Sequence, residues 1–152
     1  FERMEEKMTG YLIVFAYLFF MMVYDIRKRE IHLPFSAAVA LILLVRQIYL
    51  VCLGEAAASH AFWGIMVGVF LVVLSVLTRG GIGIGDGILF MICGLLFGFY
   101  ENSILLFLSL VFTAAVSGVL IITKHVGRKY TLPFAPFVFV GFGVMCIWKV
   151  FG

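Results

Sequence analysis

Six apolar runs, separated by short polar or charged stretches, organise the chain: Thr9 to Tyr24, Leu33 to Leu53, Ala61 to Thr78, Ile82 to Tyr100, Ser103 to Thr123 and Leu132 to Phe151. Each is close to the ~20 residues a helix needs to cross the hydrocarbon layer of a bilayer. Lipid tolerates no unsatisfied backbone, and lipid-facing strands would alternate apolar with polar residues, so these continuous runs predict helices and not a barrel. The expected fold class is an all-α membrane protein, a six-transmembrane-helix bundle. Connections as short as Arg79 to Gly81 and Glu101 to Asn102 make neighbouring spans antiparallel and leave no room for a separate soluble domain. Residues 1–152 therefore read as a single integral-membrane domain.

Composition removes the other classes. Of the 152 residues, 64% are hydrophobic and 12% charged, against roughly 25% charged in an average soluble domain. A water-soluble globule is excluded, and so is a disordered tail, which needs low hydrophobicity and high net charge. The formal net charge of +3 forms no basic face, because the basic residues are scattered between apolar blocks, so no nucleic-acid partner is expected. Cys52, Cys93 and Cys146 stand singly in apolar surroundings with no second Cys or His at metal-ligand spacing. They read as small buried hydrophobes, and neither a metal site nor a disulfide framework is signalled. The first run ends in Tyr24, Asp25 and Ile26 rather than a small-residue cleavage site, so no cleavable secretory signal is expected.

Lysine and arginine set the orientation. The connections after runs one, three and five carry seven of them (Arg27, Lys28, Arg29, Arg79, Lys124, Arg128, Lys129), and the opposite side carries four (Arg3, Lys7, Arg46, Lys149). The positive-inside rule then puts those three connections in the cytosol and both termini outside. Arg46, near the outer end of its run, is expected to snorkel as an anchor. Gly64 and Gly68, and again Gly94 and Gly98, have the four-residue spacing that lets helices approach closely, here expected within the chain rather than between copies. Pro133 and Pro136 loosen the start of the sixth run and free backbone groups that need partners.

The chain contains two aspartates, Asp25 and Asp86, each where an apolar run meets a cytosolic connection. The 17 residues from Met8 to Tyr24 rise about 26 Å as helix, which puts Asp25 near the inner edge of the ~30 Å hydrocarbon layer. The 14 residues from Gly87 to Tyr100 rise about 21 Å, so Asp86 falls within about 5 Å of the same depth. A lone Asp beginning a loop or capping a helix is ordinary. One drawn into the membrane is not. Two carboxyls sharing a low-dielectric site tend to hold one proton between them. That state suits aspartic-peptidase chemistry: one carboxylate takes a proton from water while the protonated partner hydrogen-bonds the scissile carbonyl. No metal or covalent adduct is required.

Five of the eight residues from Gly80 to Gly87 are glycine, which leaves Asp86 open to close approach by a peptide or a helix. The Lys and Ser or Thr of a phosphate loop do not follow, and no strand precedes. Gly83, Ile84, Gly85 and Asp86 match the Gly-x-Gly-Asp signature of intramembrane aspartic peptidases. The run Gly80 to Gly98 resembles the second-aspartate region of the type IV prepilin peptidases. Asp25 with Arg27, Ile31 and Pro34 is similar to that family's first-aspartate region, and Leu132 to Phe137 to its closing proline motif. The resemblance covers nearly the whole chain.

It implies a cofactor-independent aspartic endopeptidase of the cell membrane, multi-pass, with its active site facing the cytosol. Asp25 and Asp86 would be catalytic, and Gly83, Gly85, Gly87, Pro133 and Pro136 would shape the site. The implied partners, besides lipid, are pilin-like precursors of type IV pilus or protein-secretion systems, with a short basic leader commonly cut between Gly and Phe. Two departures stand out. The paired cysteine motifs linked to N-methylation are missing, so a peptidase without methyltransferase activity is expected; and Ile88 stands where the family often has Lys. Two rivals remain: a proton- or cation-coupled transporter using the same carboxyls as relays, and a non-catalytic assembly protein with a decayed signature. The transporter would need ionisable stations near the midplane, and the runs contain none there. His32, His125, Tyr24 and Tyr130 read as interfacial residues.

Overall fold

The computed structural model describes residues 2–28, 32–54, 57–79, 83–124 and 132–151. Among them, all regular structure is α-helical, in five elements: α1 (Glu2–Lys28), α2 (Leu33–Cys52), α3 (Ala58–Leu77), α4 (Ile84–Lys124) and α5 (Ala135–Phe151). Expectations that rested on Arg29, Glu30, Ile31, Gly80, Gly81, Ile82, His125, Arg128, Lys129 and Tyr130 lie outside the described residues.

Four stretches are long and apolar enough to cross a membrane: Met8–Lys28, Leu33–Cys52, Ala58–Leu77 and Ile84–Thr123. Ala135–Lys149 is equally apolar but shorter. Leu41, Phe70, Phe107, Ile122 and Trp148 turn outward, on helices with little polar cover. So wide an apolar exterior needs lipid around it.

Six runs thus become five elements, and α4 carries the difference. Its 41 residues would extend about 62 Å as one straight helix, roughly twice the hydrocarbon thickness. Gly98 breaks it, with φ 70° and ψ −173°. The amide of Asn102 donates to the carbonyl of Phe90 at 2.8 Å. Residues 12 apart on a straight helix would be about 18 Å apart, so the second arm folds back along the first. The expected connection at Glu101–Asn102 is therefore helical, with Asn102 fully buried, and the turn comes earlier.

The closest packing joins α3 to the first arm of α4. A Cβ on Gly64 would overlap the carbonyl of Gly94, and one on Gly68 would meet Met91 and Gly87. Asn102 reinforces the contact by donating to the carbonyl of Gly64 at 3.0 Å. Small residues at four-residue spacing thus serve packing within the chain, as expected. Tyr17, Leu18 and Met21 of α1 join Leu89, Phe90 and Cys93 of α4 and Val138 and Phe142 of α5 in one buried cluster. Tyr17 and Ser36 hydrogen-bond inside it at 3.1 Å, which satisfies two hydroxyls shielded from water.

Polar groups gather at the two ends. At one, Lys149 of α5 donates to Glu101 of α4 at 2.5 Å and to the hydroxyl of Tyr11 of α1 at 2.6 Å, and that hydroxyl donates to Glu101 at 3.2 Å. Arg46 reaches the same region, 3.5 Å from where a side chain on Gly10 would begin. The cysteines divide: Cys93 is buried as expected, Cys146 is partly covered, and Cys52 is exposed in the last turn of α2.

Candidate active site

The other end holds both aspartates. α1 stays helical through Asp25 to Lys28, so Asp25 belongs to the helix and does not open a loop. Its residue is only 8% exposed. A carboxyl so placed needs donors, and they come from the start of α5 and the residue before it: the backbone N–H of Ala135, 110 residues away in sequence, donates to Asp25 Oδ2 at 3.0 Å, and the N–H of Phe134 is also directed at the carboxyl.

The proline segment explains why these donors are free. The carbonyl of Phe134 closes the first turn by accepting from Phe137 and Val138, which makes Ala135 the first helical residue. The first N–H groups of a helix have no partner within it. Pro136, at the second position, has none to offer. Ala135 therefore presents an unclaimed donor at the positive end of the helix, and Asp25 takes it. Pro133 lies in the non-helical approach to this turn.

Asp86 sits in the first turn of α4, with Gly83 as the residue before the helix. Its carboxylate turns back to the N–H of Gly83, the return half of a capping box. Oδ2 lies 3.0 Å from where a Cβ on Gly83 would stand, so a larger residue there would press on the carboxylate. Gly85 follows in the same turn. Gly87 does something else. It is buried, and an added Cβ would meet Val72 and the carbonyl of Gly68, so it seats α4 on α3. Ile88 packs against the apolar core.

The two carboxyls lie within electrostatic range of each other. The start of α5 touches both helices that carry them. Ala135 holds Asp25, and the ring of the preceding Phe134 lies 6.2 Å from that of Phe90, one helical turn beyond Asp86. Tyr24 meets His32 edge-on at 5.1 Å. His32 is more than an interfacial residue: its Nδ1 accepts the N–H of Phe35 at 3.2 Å and caps α2. Among the described residues, no group of three or more His, Cys, Asp or Glu is placed to hold a metal ion. A recess of about 730 Å³, lined in part by His60, Trp63, Tyr100 and Glu101, lies at the opposite end and touches neither aspartate.

The sequence singled out both acids but not Ala135 as a donor or Asn102 as a brace. A backbone donor leaves no mark on an alanine; the available signal was Pro136, which leaves the neighbouring N–H as the orphan. For Asn102 the signal was an amide followed at once by a long apolar run.

Fold and site together define a multi-pass helical membrane protein with two carboxyls grouped at one end. Residues 12–119 match the model of the type IV leader peptidase family, Peptidase_A24. The chain is also 32% identical over 109 residues to the prepilin leader peptidase/N-methyltransferase of Bacillus subtilis (strain 168), an alignment covering 72% of this chain and 40% of that protein. No solved structure matches. The chain belongs to the type IV leader peptidase family. It spans well under half the length of its Bacillus relative.

Proposed function

We propose that this protein is an aspartic endopeptidase that removes the short basic leader of pilin-like precursors at the cytosolic face of the cell membrane, with Asp25 and Asp86 as a dyad that activates water. The observation that carries the reading is that the chain's two aspartates, from different helices, lie within electrostatic range of each other at one end of the bundle. Family membership and the Bacillus relative support the substrate class.

In this reading α4 crosses twice, as an arm on each side of Gly98, and α5 once, which makes six crossings in a single domain. The ends of α1 and α3 and the starts of α2, α4 and α5 then face the cytosol, where precursors are made. Gly83 and Gly85 leave room for an extended peptide beside Asp86, Gly87 lets α4 sit close to α3, and Pro133 and Pro136 shape the turn that carries Ala135. The three cysteines stand singly, so the chain is assigned no N-methyltransferase activity, and no cofactor enters the reaction. Water adds to the scissile carbonyl as one carboxylate takes its proton and the protonated partner gives its own to the carbonyl oxygen. When the C–N bond breaks, the leaving amine takes a proton and the pair again shares one.

The test uses purified protein in liposomes with a prepilin bearing a basic leader, followed by mass spectrometry. Loss of the leader should occur with the parent and should stop in Asp25→Asn and in Asp86→Asn separately. Undiminished cutting by either variant defeats the dyad. Ion flux across the liposomes without any cleavage would favour the transporter.

A further inference from the structure

We infer that the backbone N–H of Ala135 is a positioning group that keeps Asp25 as the charged member of the dyad, so that Asp25 takes the proton from water and Asp86 carries the shared proton to the scissile carbonyl. The inference rests on the dyad reading above and adds the assignment of roles.

The two carboxyls are held differently. Asp25 receives its donors from another element, at the N-terminus of a helix whose partial positive charge favours an anion. Asp86, in the first turn of α4, has the positive end of its own helix too, but it turns to one N–H, that of Gly83, where Asp25 has two, from Ala135 and Phe134. Hydrogen bonds to a charged form favour that form. When two carboxyls share one proton, the proton stays with the partner whose anion is less well solvated. The other ionisable groups near Asp25 do not reverse this. Asp86 of α4 is the nearest acid, His32 at the start of α2 faces Tyr24 and is engaged in its cap, and Arg27 and Lys28 on α1 are exposed. The described start of α5 brings only Leu132, Pro133, Phe134, Ala135 and Pro136, none of which ionises.

The proton balance is complete. Water loses one proton to Asp25 as its oxygen bonds to the carbonyl carbon, and Asp86 gives its proton to the carbonyl oxygen. On collapse that proton returns to Asp86, Asp25 passes its own to the leaving nitrogen, and the dyad regains its starting state.

Ala135→Pro deletes the N–H at the first helical position, where proline is well tolerated. Ala135→Gly keeps the donor and removes the methyl. Because Ala135 is buried and the ring could prevent assembly, a second form replaces Ala135 with its α-hydroxy analogue, lactic acid, by nonsense suppression, which removes the same N–H without added bulk. The readout is kcat/KM for prepilin cleavage against pH. Both donor-deleted forms should cut with the acid limb of the profile moved about one pH unit or more toward higher pH, and the glycine form should keep the parent's limb. A rate loss with an unmoved acid limb, an equal move in the glycine form, or a move confined to the alkaline limb overturns the inference while leaving the dyad intact. A parent that cuts no prepilin overturns both.

Discussion

Gly64 and Gly94 bring two backbones into contact, and the consequence is local. An added methyl at either position would enter the space of the opposite carbonyl, which has no flexible end to move aside. Gly64→Ala and Gly94→Ala should each destabilise by about 1–3 kcal/mol, the usual range for overpacking. Gly118→Ala is the control: nothing lies within 4 Å of the new methyl, and a mid-helix Gly→Ala exchange stabilises by roughly 0.5–1 kcal/mol. Thermal unfolding of the three purified variants in one detergent should place the parent between the control and the other two. This contact was legible in the sequence because small residues at four-residue spacing have few uses in a membrane helix other than close approach. Asp25 was legible only in part. Its type and depth marked it, but the donor that holds it is a main-chain group 110 positions away, and no side chain records such a group.

At the scale of the element, α4 departs most from its sequence pattern. Two apolar runs with Glu101 and Asn102 between them suggested a polar connection there. The chain instead turns at Gly98 and buries Asn102 against two carbonyls, while Glu101 is held by Tyr11 and Lys149. A polar pair between apolar runs does not reveal whether it makes the turn or braces it; φ of 70° does. Gly98→Ala should be destabilising by about 1–3 kcal/mol, because a positive φ with an extended ψ is a region that residues with a Cβ hardly enter. A Cβ there would also strike the ring of His60, which is exposed and free to swing away. The loss should therefore persist in the Gly98→Ala, His60→Ala double variant; full recovery there would mean the backbone is not strained. Asn102→Leu, which removes both interhelical bonds, should lower stability on the order of 1 kcal/mol, as membrane hydrogen bonds generally do. The Lys149–Glu101 pair, with side chains 42% and 30% exposed, should couple by less than about 1 kcal/mol in a double-mutant cycle and weaken with salt.

For the whole molecule, the decisive property is which compartment meets the aspartate end. The all-helical membrane class was readable from run length alone, since the lipid requirement leaves few alternatives. The gathering of α1, α2, α4 and α5 around the two acids was not, because periodicity says nothing about which helices meet. In the proposed topology orientation is a matter of charge: the connections after the first, third and fifth runs carry seven lysines and arginines in the sequence, and the remaining segments four. A reporter fused after Gly152 should therefore read outside the cytosol. Replacing Lys124, Arg128 and Lys129 with Gln leaves four against four. The bias should disappear, and the reporter should split between the two sides. Because Asp25 and Asp86 share one end, every inverted molecule would present both to the outside, away from newly made precursors. Leader removal in cells should then fall in proportion to the inverted fraction, while the same variant, randomly oriented in liposomes with substrate on both sides, should cut as fast per molecule as the parent. If the unmodified protein's reporter reads cytosolic, the dyad faces away from the proposed substrate, and the assignment of the cytosolic face fails even though the chemistry of the pair could stand.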